Sequence, residues 1–430
     1  MPKRIPLLTY LILFFAFSSS AQDDSNYIKQ FIKEKANILA GDAMMGRGYV
    51  YNGRGVAAEW LKKNFTEMGL KPVDGNSGFA QQYTFPINAF PGKMTLAIDN
   101  TTLKPGADFI IDASSAPYNA SGLKLKVVDM GKINTPAQLK HTLKKLKHKK
   151  AWLLENTDTL CKKFKTRPEQ IANLLNNGCY IIPTKNKLTW TVEGYQNRAT
   201  VFYVKQDALP ANPTKVSLDI DASLLPATQN ENLIATIPGE VKDTFIAFTG
   251  HYDHLGMMGG HSAIFPGASD NASGMSMLLY LASYFTKHPK HCSILFIAFS
   301  GEEAGLLGSE YYIHHQIVPV GKIKFLTNID IMGDASDGIT VVNATEYKQQ
   351  FGLMQQINDQ NHYLPIIKQR GKAHNSDHWH FTEAGVPSFF IYSNGGKGYY
   401  HDIYDKPAEL TLNHVAGVAQ LLIDFVRELK

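Results

Sequence analysis

Between residues 244 and 332 three apolar runs alternate with two helical patterns, and this ordering constrains the fold more than any other feature of the chain. The runs cover 244–249, 292–300 and 323–332 and are rich in Phe, Ile and Leu. Between them, PGASDNASGMSMLLYLASYF and SGEEAGLLGSEYY read as helices. Apolar strands joined by helices form a parallel sheet covered on both faces. Polar residues fall where the runs end. His251 and Asp253 follow the first run, Glu302 and Glu303 the second, Asp330 lies near the end of the third, and Asp270 opens the first helix. In open α/β sheets the ligand crevice lies beyond the carboxyl ends of the strands, so these side chains are expected to converge there. Converging carboxylates repel one another unless a cation neutralises them, and a metal site is the economical reading.

The chain has 430 residues, enough for one large α/β domain and a smaller one. Its formal charge of +5 comes from 43 basic and 38 acidic residues, too mild a balance to imply a nucleic-acid partner. The basic cluster at 140–150 is interleaved with apolar residues and reads as a solvated helix face. At the N-terminus, Lys3 and Arg4 precede an apolar stretch that ends in Ser19-Ser20-Ala21. That pattern predicts a signal peptide, residues 1–21, cut near Ala21. The apolar stretch is shorter than the ~20 residues of a spanning helix, and no Cys sits at the cut to carry a lipid. A secreted or periplasmic protein without stable membrane insertion is expected. Cys292 reads as a core residue; whether Cys161 pairs with Cys179 stays open.

Taken in order, Ala57, Trp60, Leu61, Phe65 and Met68 recur at helical spacing up to Gly69. The glycine-rich stretch 46–55 lacks the Lys-Ser/Thr ending of a phosphate loop and reads as a turn. From 93 to 226 short alternating runs separated by turn residues predict an inserted β-rich domain, with no cluster of ligand-type residues. The remaining parts, 22–92 and 227–430, would form one discontinuous domain. Its fold class is α/β, a central mixed, mostly parallel sheet sandwiched by helices. After Asp330 the pattern gives a strand at 338–342, a helix at 345–362, a short turn or helix at 376–385 and a strand at 386–392. A loop at 395–407 carries His401, and a helix at 412–429 closes the domain.

The segments GHYDHLG, GASDNASG, SGEEAGLLGS, NIDIMG and YYHDIYD, in this order, resemble the secreted two-zinc aminopeptidases of clan MH, which include bacterial leucyl aminopeptidases. The insert resembles, more weakly, a protease-associated domain. The resemblance implies two Zn²⁺ per chain, with Asp270 bridging them. It implies His251 and Asp330 as ligands of one ion, and Glu303 and His401 as ligands of the other. Glu302 then matches the general base, Asp253 the carboxylate that orients His251, and Tyr400 a phenol near the oxyanion. The implied activity is a zinc-dependent exopeptidase acting on peptides, an aminopeptidase in which a metal-bridging hydroxide attacks the scissile carbonyl.

The residue types suit that chemistry. Three carboxylates and two imidazoles against two Zn²⁺ leave a single positive charge that a bridging hydroxide cancels, and O/N ligands with open positions favour catalytic zinc. With one of two adjacent glutamates on the metal, the other is left for proton transfer. Three other readings remain: a carboxypeptidase or dipeptidase on the same scaffold, with Arg370 and Lys372 as candidate carboxylate holders; a single-zinc glutaminyl cyclase; and a metal-free binding protein. His254, His261, His314, His315, His374, His378 and His380 read as structural or surface residues, and Asp377 as a candidate supporting carboxylate. Oligomeric state is not encoded in any pattern found.

Overall fold

Eight strands form the central sheet: β1 (Ala80–Ala89), β2 (Ser223–Ile237), β3 (Val241–His251), β4 (Cys292–Phe299), β5 (Ile323–Asp330), β6 (Ile339–Val342), β7 (Ile367–Gln369) and β8 (Ser388–Ser393). The structure is a computed structural model that describes residues 8–146 and 150–429. The first seven residues of the expected leader and residues 147–149 of the basic cluster lie outside the described residues. Across the sheet the strands run β1-β2-β4-β3-β5-β8-β6-β7. The inner four, β4, β3, β5 and β8, are parallel neighbours, so their carboxyl ends share one edge. Antiparallel pairs β1·β2, β2·β4 and β6·β8 make the sheet mixed, as the fold class anticipates.

Side chains alternate along the inner strands with period two, as a doubly covered sheet requires. Ile246 and Phe248 of β3 and Ile294, Phe296 and Ala298 of β4 face one core, with helices Leu8–Leu39, Gly53–Glu67, Gly274–Lys287, Lys348–Asn361 and Val415–Glu428. Phe245, Ala247, Leu295, Ile297 and Phe299 face the other, against helices Leu307–His314 and His378–Glu383. Each large apolar side chain buried in this way contributes roughly 1.5–3 kcal/mol. Among the described residues no helix is long and apolar enough to cross a membrane.

The segment between β1 and β2 builds a second sheet of eight strands. It also carries helices Pro136–Lys145, Thr157–Phe164 and Pro168–Ala172, which the alternating runs did not announce. The local signal for the first is a capping box, with Thr135 accepting from the Gln138 amide and Gln138 capping the Thr135 amide. Cys161 and Cys179 are both buried and free. This second module is not detached from the main domain. Its core residues Leu96, Phe109, Trp190 and Phe202 belong to one apolar cluster with Leu255, Met257, Ala263 and Phe265, which follow β3. The glycine-rich stretch 46–55 passes through tight turns ending at Arg47 and at Asn52, then enters the first residues of helix Gly53–Glu67. Gly48 lies so close to the Gly256 backbone that a Cβ at 48 would sit 2.3 Å from the Gly256 Cα, so the two turns interlock only as glycines.

Candidate metal centre

Each candidate ligand is delivered by the shared edge of the four parallel strands. His251 is the last residue of β3, Asp330 the last of β5, and Glu302 and Glu303 follow β4 by a few residues. His401 lies in the loop after β8. Asp270 is not in the first turn of its helix. It sits in a wide turn, 268–273, with extended backbone angles, and the helix begins at Gly274. Asn271 and Ser273 anchor that turn to β5: the Asn271 side chain donates to the Ile329 carbonyl, and Ser273 Oγ accepts from the Met332 amide at 2.7 Å.

Around Asp270 two groups meet. On one side His251 Nε2 lies 3.3 Å from Asp270 Oδ1 and 3.4 Å from Asp330 Oδ1. On the other, His401 Nε2 lies 3.1 Å from Asp270 Oδ2 and 2.9 Å from Glu303 Oε2. Two of the clusters able to hold a metal ion share Asp270: His251, Asp270 and Asp330; and His254, Asp270, Glu303 and His401. His251 Nε2, Asp270 Oδ1, Asp330 Oδ1 and His401 Nε2 are buried and without hydrogen-bond partners. Orphaned polar atoms of this kind are costly unless something binds them, and a divalent cation would satisfy all four at once. The donor set therefore fits a metal.

Electrostatics agree. Burial alone would lower the His251 and His401 imidazoles, but the carboxylates facing them, Glu302 and Asp330 for His251 and Glu303 and Asp270 for His401, hold both well above the ordinary range. Burial opposes ionisation of Asp270 and Glu303, yet the histidines keep Asp270 well below its usual range and Glu303 at about 2. The facing carboxylates thus favour positive charge at both imidazoles, where a cation would supply it instead. Loading a divalent metal should raise the thermal midpoint and chelation should lower it, since binding at 1,000-fold over Kd stabilises by about 4 kcal/mol. A midpoint that zinc and chelator both leave unchanged in calorimetry would count against a buried metal site.

Glu302 is placed differently. Its Oε2 is 4.0 Å from His251 Nε2, and burial, reinforced by Glu303, Asp377 and Asp330, pushes its carboxyl well above the usual range despite His251. Asp253 is held at both oxygens, by the Tyr49 hydroxyl at 3.1 Å and the Glu302 amide at 3.3 Å. The group nearest His251 Nδ1 is the Asp253 backbone carbonyl, at 3.1 Å, with the Asp253 carboxylate 3.7 Å away. The expected orienting role thus has two candidate acceptors on one residue. Tyr400 is half-exposed, its ring stacked on His401 with centroids 3.7 Å apart. Desolvation and the nearby carboxylates raise its phenol, which stays protonated and able to donate. Asp377 is buried, and burial pushes its carboxyl up to about 7.

Sequence reasoning misses three supporting residues, reading His254 as structural or surface and leaving Asp405 and Arg47 unmarked. His254 is fully buried with Nδ1 2.6 Å from Glu303 Oε1, so it orients or joins that ligand group. Its position in HYDH is the one clue. Asp405 accepts the amides of Ser269 and Asp270 at 2.8 and 3.1 Å, tying the His401 loop to the Asp270 turn. Arg47, within the glycine-rich stretch, is fully buried and donates to the carbonyls of Leu39, Tyr252, Pro266, Gly267 and Asp270. Of the candidate carboxylate holders, Arg370 bonds the Tyr392 hydroxyl and Lys372 pairs with Glu383.

Comparison with known proteins bears on the same region. Residues 232–426 match the model of peptidase family M28. The chain is 29% identical over 213 residues to a probable leucine aminopeptidase of Arthroderma otae, covering 46% of this chain and 56% of that protein. The chain thus spans about half the length of the curated relatives it matches. A zinc aminopeptidase of Bacillus subtilis superposes with TM-score 0.67 at 18% identity, covering 94% of this chain and 95% of that one. An aminopeptidase from Aneurinibacillus sp. strain AM-1 does so with TM-score 0.62 at 18% identity, covering 93% of each. At such identity the likeness concerns the fold.

Proposed function

We propose that the chain, whose residues 232–426 match the model of peptidase family M28, is a zinc-dependent exopeptidase, an aminopeptidase that removes N-terminal residues from peptides. The observation that carries this reading is Asp270 flanked by His251 with Asp330 and by Glu303 with His401, their facing atoms buried and unpartnered, with a protonatable Glu302 alongside. Two zinc ions are proposed, which His251 with Asp330 and Glu303 with His401 would hold, each pair together with Asp270. When bound, zinc supplies Lewis-acid polarisation of the scissile carbonyl and water of lowered pKa.

The chain's own residues account for the rest. Glu302 takes a proton from the attacking water and returns it to the departing amine, a task suited to a carboxyl whose pKa burial raises well above the usual range. Asp253, held by Tyr49 and by the Glu302 amide, couples the position of the base to that of His251. Tyr400, its phenol kept protonated, donates a hydrogen bond to the developing oxyanion. Of the two candidate carboxylate holders, Lys372 pairs with Glu383 and Arg370 bonds the Tyr392 hydroxyl, contacts that involve none of the ligand residues.

We also propose that residues 1–21 are removed and that the mature protein is secreted or periplasmic, with the chain divided into a peptidase domain (22–92 and 227–430) and an inserted module (93–226). Among the described side chains the buried stripe of helix Leu8–Leu39 begins at Ile28, so such a cut would spare it. The test pairs metal content with a panel of aminoacyl-arylamides and their N-acetylated counterparts. About two zinc per chain and cleavage of free-amine substrates only are expected; cleavage of acetylated substrates, or no zinc, would sink the reading.

A further inference from the structure

His401 and His251 are oriented by different parts of the chain. His251 Nδ1 meets a carbonyl two residues away, whereas His401 Nδ1 lies 3.0 Å from the carbonyl of Trp190, in the inserted module 211 residues distant. A carbonyl can only accept, so Nδ1 of His401 carries the proton, and the lone pair of the neutral ring sits on Nε2, facing Asp270 and Glu303. The contact is reciprocal, for the Trp190 amide donates to the His401 carbonyl at 3.0 Å.

The same segment holds the rest of the loop. Lys187 donates to the carbonyls of Gly398, at 2.8 Å, and Tyr400, and its ammonium lies 3.2 Å from the Asp402 carboxylate. His401 itself has φ +59, a left-handed conformation that a non-glycine residue keeps only where its surroundings impose it. Trp190 is anchored in turn. Its indole donates to the Ile111 carbonyl at 2.9 Å and stacks on Phe265 with centroids 4.8 Å apart. A second contact comes from Gly106, where a Cβ would sit 2.6 Å from Ile403 Cγ2.

We propose that the inserted module is a positioning element for the metal centre: through the Trp190 carbonyl and the Lys187 ammonium it fixes the tautomer and aim of His401. Zinc affinity then depends on the module staying docked on the 398–403 loop. This rests on the reading of His401 as a ligand. It assigns the module a role at the site although it contributes no ligand of its own.

The experiment strips the mature full-length protein of metal and titrates it with Zn²⁺ against a chelating dye. Lys187→Met and Trp190→Leu keep the Trp190 carbonyl in the chain but loosen the segment that carries it, and are expected to weaken zinc binding by up to about 10–100-fold, the effect of losing a ligand's outer partner outright. Lys187→Arg should restore most of the affinity, because it keeps a cation in place. Lys163→Met, which removes similar carbonyl contacts to Gly131 and Ile133 within the module, should leave the affinity at the wild-type value. Should Trp190→Leu fail to fold, Lys187→Met, altering a partly exposed side chain, carries the test. Wild-type affinity in folded Lys187→Met, or an equal loss in Lys163→Met, overturns the inference. A wild-type protein that takes up no zinc overturns the functional reading as well.

Discussion

Replacing Glu302 by Gln should lower kcat by about 10²–10⁴-fold while zinc content stays at the wild-type level. Proton transfer by a positioned side chain contributes rate of that order, and Gln keeps the shape of Glu302 while removing the transferable proton. Metal should be retained because the two groups that share Asp270 are complete without Glu302, whose Oε2 lies 4.0 Å from His251 Nε2 and whose amide is held by Asp253. Glu303→Gln should behave differently. Glu303 is in contact with His401 and His254 and is ionised at about 2, so neutralising it should cost metal as well as rate. Single-turnover kinetics alongside elemental analysis separates the two variants. A Glu302→Gln protein with near wild-type kcat, or one stripped of zinc, would remove Glu302 from the role of base.

The second large effect is expected at Arg47. Its guanidinium is fully buried, and burial lowers its pKa only to about 10 because Asp270, Asp405, Asp253 and Glu303 oppose the loss of charge. Five carbonyls from three separated stretches accept its donors. Arg47→Met leaves those carbonyls and the neighbouring carboxylates without a cation, and loss of one partner in such a buried arrangement costs about 3–5 kcal/mol. Arg47→Lys should rescue little, since one ammonium cannot span positions that a planar five-donor fork reaches. Chemical denaturation of the metal-free and zinc-loaded forms would measure both. A loss below about 1 kcal/mol would mean that water or a shifted backbone replaces the guanidinium. Because Arg47 donates to the Gly267 and Asp270 carbonyls, its loss should also loosen the Asp270 turn. There a Cβ at Gly267 would approach the Asp270 carbonyl to 2.2 Å, so the chain has no slack to absorb a shift.

The sequence by itself determined the sheet and the whereabouts of its chemistry. Long Phe- and Ile-rich runs separated by helical spacing admit few arrangements other than parallel strands covered on both faces. In that topology His251, Glu302, Glu303 and Asp330 must emerge at one edge. The long helices of the main domain followed for the same reason, since an apolar stripe repeated every three or four residues can be buried on only one side, whereas helices Thr157–Phe164 and Pro168–Ala172 of the insert gave no such signal. Only the tertiary structure decided what holds those side chains still. Arg47 serving five carbonyls, His254 against Glu303, Asp405 capping two amides and the Trp190 carbonyl on His401 all join residues far apart in the chain. Several use backbone groups that every residue possesses. A peptide carbonyl leaves no mark on composition or periodicity, so its partner becomes visible only when folding brings the two together.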